Sequence, residues 1–151
     1  MDNFDLGDLK NVQIDTASIN RFSAQPTLEA QIERYGRVDG MLIGIGGEKS
    51  QQYKRYEKLK LYSEERLIQL ANFKSPIVQA YAFDILTERN SKFALEIFKA
   101  HLNDSANIEV RSGCFSSTLP LNEYFYTSIE KTLSKEDRER YSYLADKDKF
   151  W

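Results

Sequence analysis

The stretch "GMLIGIGGEKS", residues 40–50, is glycine-rich and apolar and closes on a lysine and a serine. A Walker-type phosphate loop needs G-x-x-x-x-G-K-[ST], so that backbone N–H groups turn toward the anion and the lysine follows the second glycine directly. Aligned on Lys49 and Ser50, the two glycine positions fall on Ile43 and Glu48. Glu48 would set a carboxylate against the phosphate. The dinucleotide pattern G-x-G-x-x-G fails as well, because Lys49 stands where the third glycine is due after Gly44 and Gly46. The stretch therefore reads as architecture. Leu28, Ile32, Tyr35, Leu42 and Ile45 follow helical spacings. We expect a helix from Thr27 that frays near Gly44 and stops at Gly46 and Gly47, glycine being an ordinary helix stop. A groove smoothed by Gly36, Gly40 and Gly44 for a neighbouring helix, and a short strand over residues 40–46, are the alternatives.

Outward from this stretch the helical pattern continues. "KSQQYKRYEKLKLY", residues 49–62, suits a short amphipathic helix with Tyr53, Tyr56 and Leu59 inward. "SEERLIQLANF" starts on Ser63 as N-cap, with Glu64 and Glu65 in the first turn where the macrodipole favours anions. "SPIVQAYAFDILTER" restarts on Ser75 and Pro76 and is apolar on nearly all sides, which predicts a central, covered helix. "SKFALEIFKAHL" and "LNEYFYTSIEKTL" are further helices, separated by the broken segment "NDSANIEVRSGCFSSTLP", with a short helical turn expected near "EVRSGC". Ser134 with Asp137 opens a last charged helix whose inner contacts are Tyr141 and Leu144. Few stretches alternate with period two. The expectation is an all-α chain: residues 1–24 a loosely attached arm, residues 25–151 one helical domain.

Two segments resemble each other and carry a family likeness. Leu70, Asn72, Pro76, Val78 and Ala82 in the first, and Leu102, Asp104, Val110 and Arg111 in the second, follow the turn-centred pattern of HEAT-type helical repeats. Gln79 stands where that pattern has arginine, and Gly113 interrupts the second unit. The resemblance spans about residues 63–118. It implies a compact HEAT- or armadillo-like array of antiparallel helical hairpins with a protein-binding face.

Composition narrows the function. The 151 residues carry 21 Lys and Arg against 23 Asp and Glu, a net charge of -2, which argues against nucleic acid as main partner. No apolar run reaches the length of a membrane span, and the first ten residues lack a signal-peptide pattern, so a cytoplasmic protein is expected. One cysteine, Cys114, and one histidine, His101, are too few for a zinc site, and no cofactor is expected. His101 ends the line Phe93, Ile97, His101 and is read as packing, and Cys114 as a buried thiol. Glu29 with Glu33, and Asp84 with Glu88, share helix faces and are read as solvated pairs. Asp84 is the one acid in the apolar core helix and so a candidate perturbed group.

The leading expectation is a non-catalytic module that binds another protein: a scaffold, adaptor or inhibitor, with a toxin-neutralising immunity protein as one specific version. Tyrosine and arginine are favoured at interface hot spots. The candidate contacts are Tyr53, Arg55, Tyr56 and Tyr62, with Tyr124 and Tyr126 as a second group. The rival readings are nucleic-acid binding through residues 49–60, where five cations face one acid, and a small enzyme using Cys114, His101 or Asp84.

Overall fold

A computed structural model describes residues 26–145. The expected arm, residues 1–24, lies outside the described residues. Within them the chain forms helix α1 (Leu28–Tyr35), strands β1 (Val38–Ile43) and β2 (Glu48–Lys49), and four helices: α2 (Gln51–Leu59), α3 (Glu64–Ala71), α4 (Pro76–Glu88) and α5 (Ala94–Ala100). A hairpin of β3 (Asn107–Gly113) and β4 (Phe115–Pro120) follows, then α6 (Leu121–Ile129) and α7 (Lys135–Tyr141), each continued by one 3-10 turn. The strands form one mixed sheet in the order β2-β1-β3-β4. β1 lies parallel to β3, and the hairpins β1–β2 and β3–β4 are antiparallel.

This sheet corrects the all-α expectation and its helical-array form. The helix expected to run from Thr27 to Gly46 ends at Tyr35. Gly36 has φ 79° and returns its N–H to the Ile32 carbonyl, closing α1 with a left-handed residue. Each further glycine would have cost about 1 kcal/mol of helix propensity. Extended backbone lets Gly40 lie against Ser112 instead: a Cβ on Gly40 would meet the Ser112 hydroxyl at 3.1 Å. The strand over residues 40–46, held as an alternative, is thus close to the truth. The second correction is "NIEVRSGCFSST". It is a hairpin whose two-residue turn, Gly113 and Cys114, uses the positive φ of Gly113. Of the two HEAT-like units, Leu70 to Leu86 is a helical hairpin of α3 and α4, whereas Val110 and Arg111 of the other lie in β3.

The helical readings elsewhere hold. Ser63 and Ser134 cap α3 and α7 through their hydroxyls. Ser75 occupies the N-cap of α4 without a side-chain hydrogen bond, and Pro76 follows. Ten of the thirteen residues of α4 are buried, as its all-round apolar pattern predicts. Phe83 of α4 stacks on Phe125 of α6 with ring centroids 4.0 Å apart. Tyr141 and Leu144 are buried, and Tyr141 meets Phe98 edge-on.

Candidate functional site

The register of the sheet explains where its surface stays open. Side chains alternate across a strand, and paired residues share a face. Ile108 with Leu119, Val110 with Ser117 and Ser112 with Phe115 therefore form successive rows on the helix-facing side. Val38 aligns with Val110. At the base of the sheet, Ile108 and Leu119 are buried under the helices. Toward the turns Gly40 and Ser112 bring little side-chain bulk to this face and leave a gap between sheet and helices. The gap is a cleft of about 440 Å³. Val38, Gly40, Val110 and Ser112 line it on the sheet side, and Tyr53, Tyr56, Tyr81, Asp84, Tyr124 and Ser128 on the helix side. Phe115 is exposed on the helix-facing side by the same alternation, and Leu42 is exposed on β1 within the register shift that follows Asp39. Arg111 also lines the cleft, and alternation from Val110 sends its side chain toward the opposite face, with Asp39 and Glu109.

A buried network holds the wall of this cleft. Asp39 is 2% exposed. Its carboxylate accepts from Arg37 Nε at 2.7 Å, from the Tyr35 hydroxyl at 2.9 Å and from the Ser50 hydroxyl at 2.6 Å. The Ser50 oxygen in turn accepts from the Tyr53 amide and so caps α2. One serine thus fixes both the strand end and the first turn that carries Tyr53. The carboxylate beside it raises the Arg37 guanidinium further above its ordinary value.

The helix side of the cleft is aromatic and carries one carboxylate deep in the lining. Tyr53 lies 5.3 Å from Tyr56, and Tyr56 4.9 Å from Tyr81, between ring centroids. The Tyr56 hydroxyl donates to Asp84 at 3.0 Å and reaches Glu88 at 3.5 Å. Burial pushes the Asp84 carboxyl up, against the Tyr56 hydrogen bond and the nearby Ser128 hydroxyl, which favour its charged form. Burial likewise raises the phenols of Tyr56, Tyr81 and Tyr124, and the neighbouring Asp84 adds to each shift. All three stay neutral at any physiological pH. Glu88 pairs with Lys60 at 3.3 Å, and the Lys60 ammonium sits 4.9 Å from the centre of the Tyr56 ring. Lys131 is exposed at the mouth.

Three of the six expected contacts, Tyr53, Tyr56 and Tyr124, meet in this cleft. The other three do not. Arg55 lies over the Tyr35 ring at 5.4 Å, and Tyr62 is partly buried beside Glu29 and Arg66. Tyr126 is a core residue packed on Phe98. Sequence reasoning missed Tyr81, Gly40, Ser112 and Ser128 as cleft residues. Tyr81 and Ser128 carried a local signal, Tyr81 lying three residues before Asp84 and Ser128 four after Tyr124, each pair on one helix face. The solvated pairs are also revised: Glu29 is 8% exposed and accepts from Arg66 at 3.1 Å, and Asp84 lines the cleft.

His101 packs edge-on against Phe125, with its ring nitrogens 2.8 Å from Asn72 and 3.4 Å from Asp104. Cys114 is exposed on the hairpin turn, contrary to the buried thiol expected. Among the described residues no group of three or more His, Cys, Asp and Glu side chains converges on a metal position. Within the same residues no helix is long and apolar enough to cross a membrane. In the basic segment Lys49 is paired with Glu57 at 2.8 Å.

No family model matches this chain, and no curated protein or solved structure is significantly similar to it.

Proposed function

We propose that this chain is a non-catalytic recognition module that binds another protein through the cleft between the sheet and helices α2, α4 and α6. The observation that carries this reading is the uncovered sheet face at Gly40 and Ser112, walled by Tyr53, Tyr56 and Tyr124 and adjoined by the exposed apolar residues Leu42 and Phe115. Tyrosines supply large contact area with few rotatable bonds, and recognition surfaces use them for that reason. Ile45, 97% exposed beyond the end of β1, extends the apolar rim.

Photo-crosslinking tests the reading. A benzophenone side chain placed at Tyr53 or Ser112 is expected to capture one protein from a lysate of the source cell, and the same group at Arg140, on α7, is expected not to. Ser112→Tyr, which fills the cleft from an exposed strand position, should abolish the capture from Tyr53. Capture from Arg140 alone, or none from the cleft, overturns the proposal.

A further inference from the structure

We infer that the cleft takes the cationic end of a lysine or arginine side chain presented by the partner protein, with Asp84 as its counter-ion. This deepens the reading that the cleft binds a protein, and rests on it. Three observations lead to a cation.

The first is acceptor capacity. A carboxylate offers about four lone-pair directions. Asp84 receives the Tyr56 hydroxyl, and a share of Ser128, whose hydroxyl also lies 3.1 Å from the Tyr124 carbonyl. Among the described residues no cation is ion-paired to Asp84, and the Tyr124 hydroxyl has no hydrogen-bond partner. Both groups line the cleft.

The second is the wall. Tyr53, Tyr56, Tyr81 and Tyr124 line the cleft with aromatic rings beside that carboxylate, and ring faces attract cations most strongly where water is displaced. An anionic ligand would meet Asp84 directly, and Lys60, the cation whose charge reaches it, is already paired with Glu88.

The third is that the chain already makes this contact once, at the rim. The Lys60 ammonium lies over the Tyr56 ring and pairs with Glu88, one helical turn along α4 from Asp84. The deeper position repeats the arrangement of ring and carboxylate without the lysine. Lys131 stands exposed at the mouth, where water screens it. Arg111 directs its charge to the other face of the sheet. The incoming cation therefore replaces water at Asp84 and makes a charge-assisted bond.

The test is a titration of the full chain followed by backbone amide NMR. The probes are butylguanidinium, butylammonium and butylurea, the last a neutral analogue of the first. Saturable shifts at Gly40, Ser112 and Tyr124 with either cation are expected. Binding should be about tenfold or more weaker for butylurea, and for butylguanidinium on Asp84→Asn, since a charge-assisted hydrogen bond is worth roughly 1.5–3 kcal/mol. Equal binding of butylurea, or undiminished binding to Asp84→Asn, overturns the inference. Should that variant not fold, wild-type protein suffices. Cation binding should weaken as pH falls and Asp84 takes up its proton; the other groups that face it are Glu88, Lys60, Lys131 and the tyrosine hydroxyls. Glu88→Gln reports the contribution of the other facing acid. Crosslinking of a protein without any cation binding removes this inference and leaves the proposed function standing. Cation binding without a crosslinked protein overturns both the protein source and the proposed function, and assigns the site to a free organic amine.

Discussion

The Tyr81 hydroxyl holds both main-chain groups of Asp39: it accepts from the Asp39 amide at 2.8 Å and lies 3.1 Å from the Asp39 carbonyl, to which it donates. β2 pairs only with Leu42 and Ile43, so at Asp39 β1 has β3 on one side and no strand on the other. A side chain from the central helix takes the place of that strand. The same phenol packs on Tyr56 and so joins the sheet edge to the cleft wall.

Tyr81→Phe should leave both Asp39 main-chain groups without this partner while keeping the ring in place. Leaving buried polar groups unsatisfied costs about 1–3 kcal/mol each. We expect a loss of about 2 kcal/mol or more in urea unfolding with an unchanged m-value. No loss would show that water takes over the role.

Asp39→Ala removes the acceptor shared by Arg37, Tyr35 and Ser50. Breaking a buried pair costs roughly 3–5 kcal/mol, and Arg37, with 23% of its side chain exposed, recovers some hydration. A loss of about 2–3 kcal/mol is expected. Ser50→Ala should cost about 1–2 kcal/mol through the cap of α2 and the lost bond to Asp39. The double variant should fall short of the sum, because both act on one network.

Asp84 has a pH signature of definite sign. Burial raises its folded-state pKa above the ordinary value near 3.8, so between the two values the folded chain binds more protons than the unfolded one. Stability therefore falls as pH rises through that window, and the full cost is present above the folded-state value. Asp84→Asn should be at least as stable as wild type at pH 7, and the difference should vanish below the unfolded-state value. Thermal melts from pH 3 to 7 check this. A variant less stable at pH 7 would assign Asp84 to structure rather than to a site.

Phe83→Ala opens a void at the stack with Phe125 in the centre of α4, and truncation of a buried phenylalanine costs about 3–5 kcal/mol. For a domain of this size that is a large share of the total. We expect a Tm lowered by roughly 10 °C or more.

Cys114, exposed on the β3–β4 turn, should react stoichiometrically with a thiol reagent in the native state, without denaturant. Protection would place the hairpin under a partner surface.

Much of the helical half was legible from local chemistry. The all-round apolar run from Ile77 to Leu86 specifies a covered helix, and Ser63 and Ser134 specify starts, because capping and amphipathicity involve residues within one or two turns of each other. The alternation Ile108, Val110 against Glu109, Arg111, closed by Gly113, was an available strand signal that a helical reading of the neighbours obscured. Gly36, by contrast, supports a helix stop as readily at 36 as at 46, and periodicity across it matched by chance. What only the tertiary structure decided is the pairing of Val38 with Val110, 72 positions apart, and the cleft that follows from it. Strand partners and the meeting of Tyr56, Tyr81, Asp84 and Tyr124 depend on the free energy of closing long loops and burying one shared core, a property of the whole chain that no local window contains.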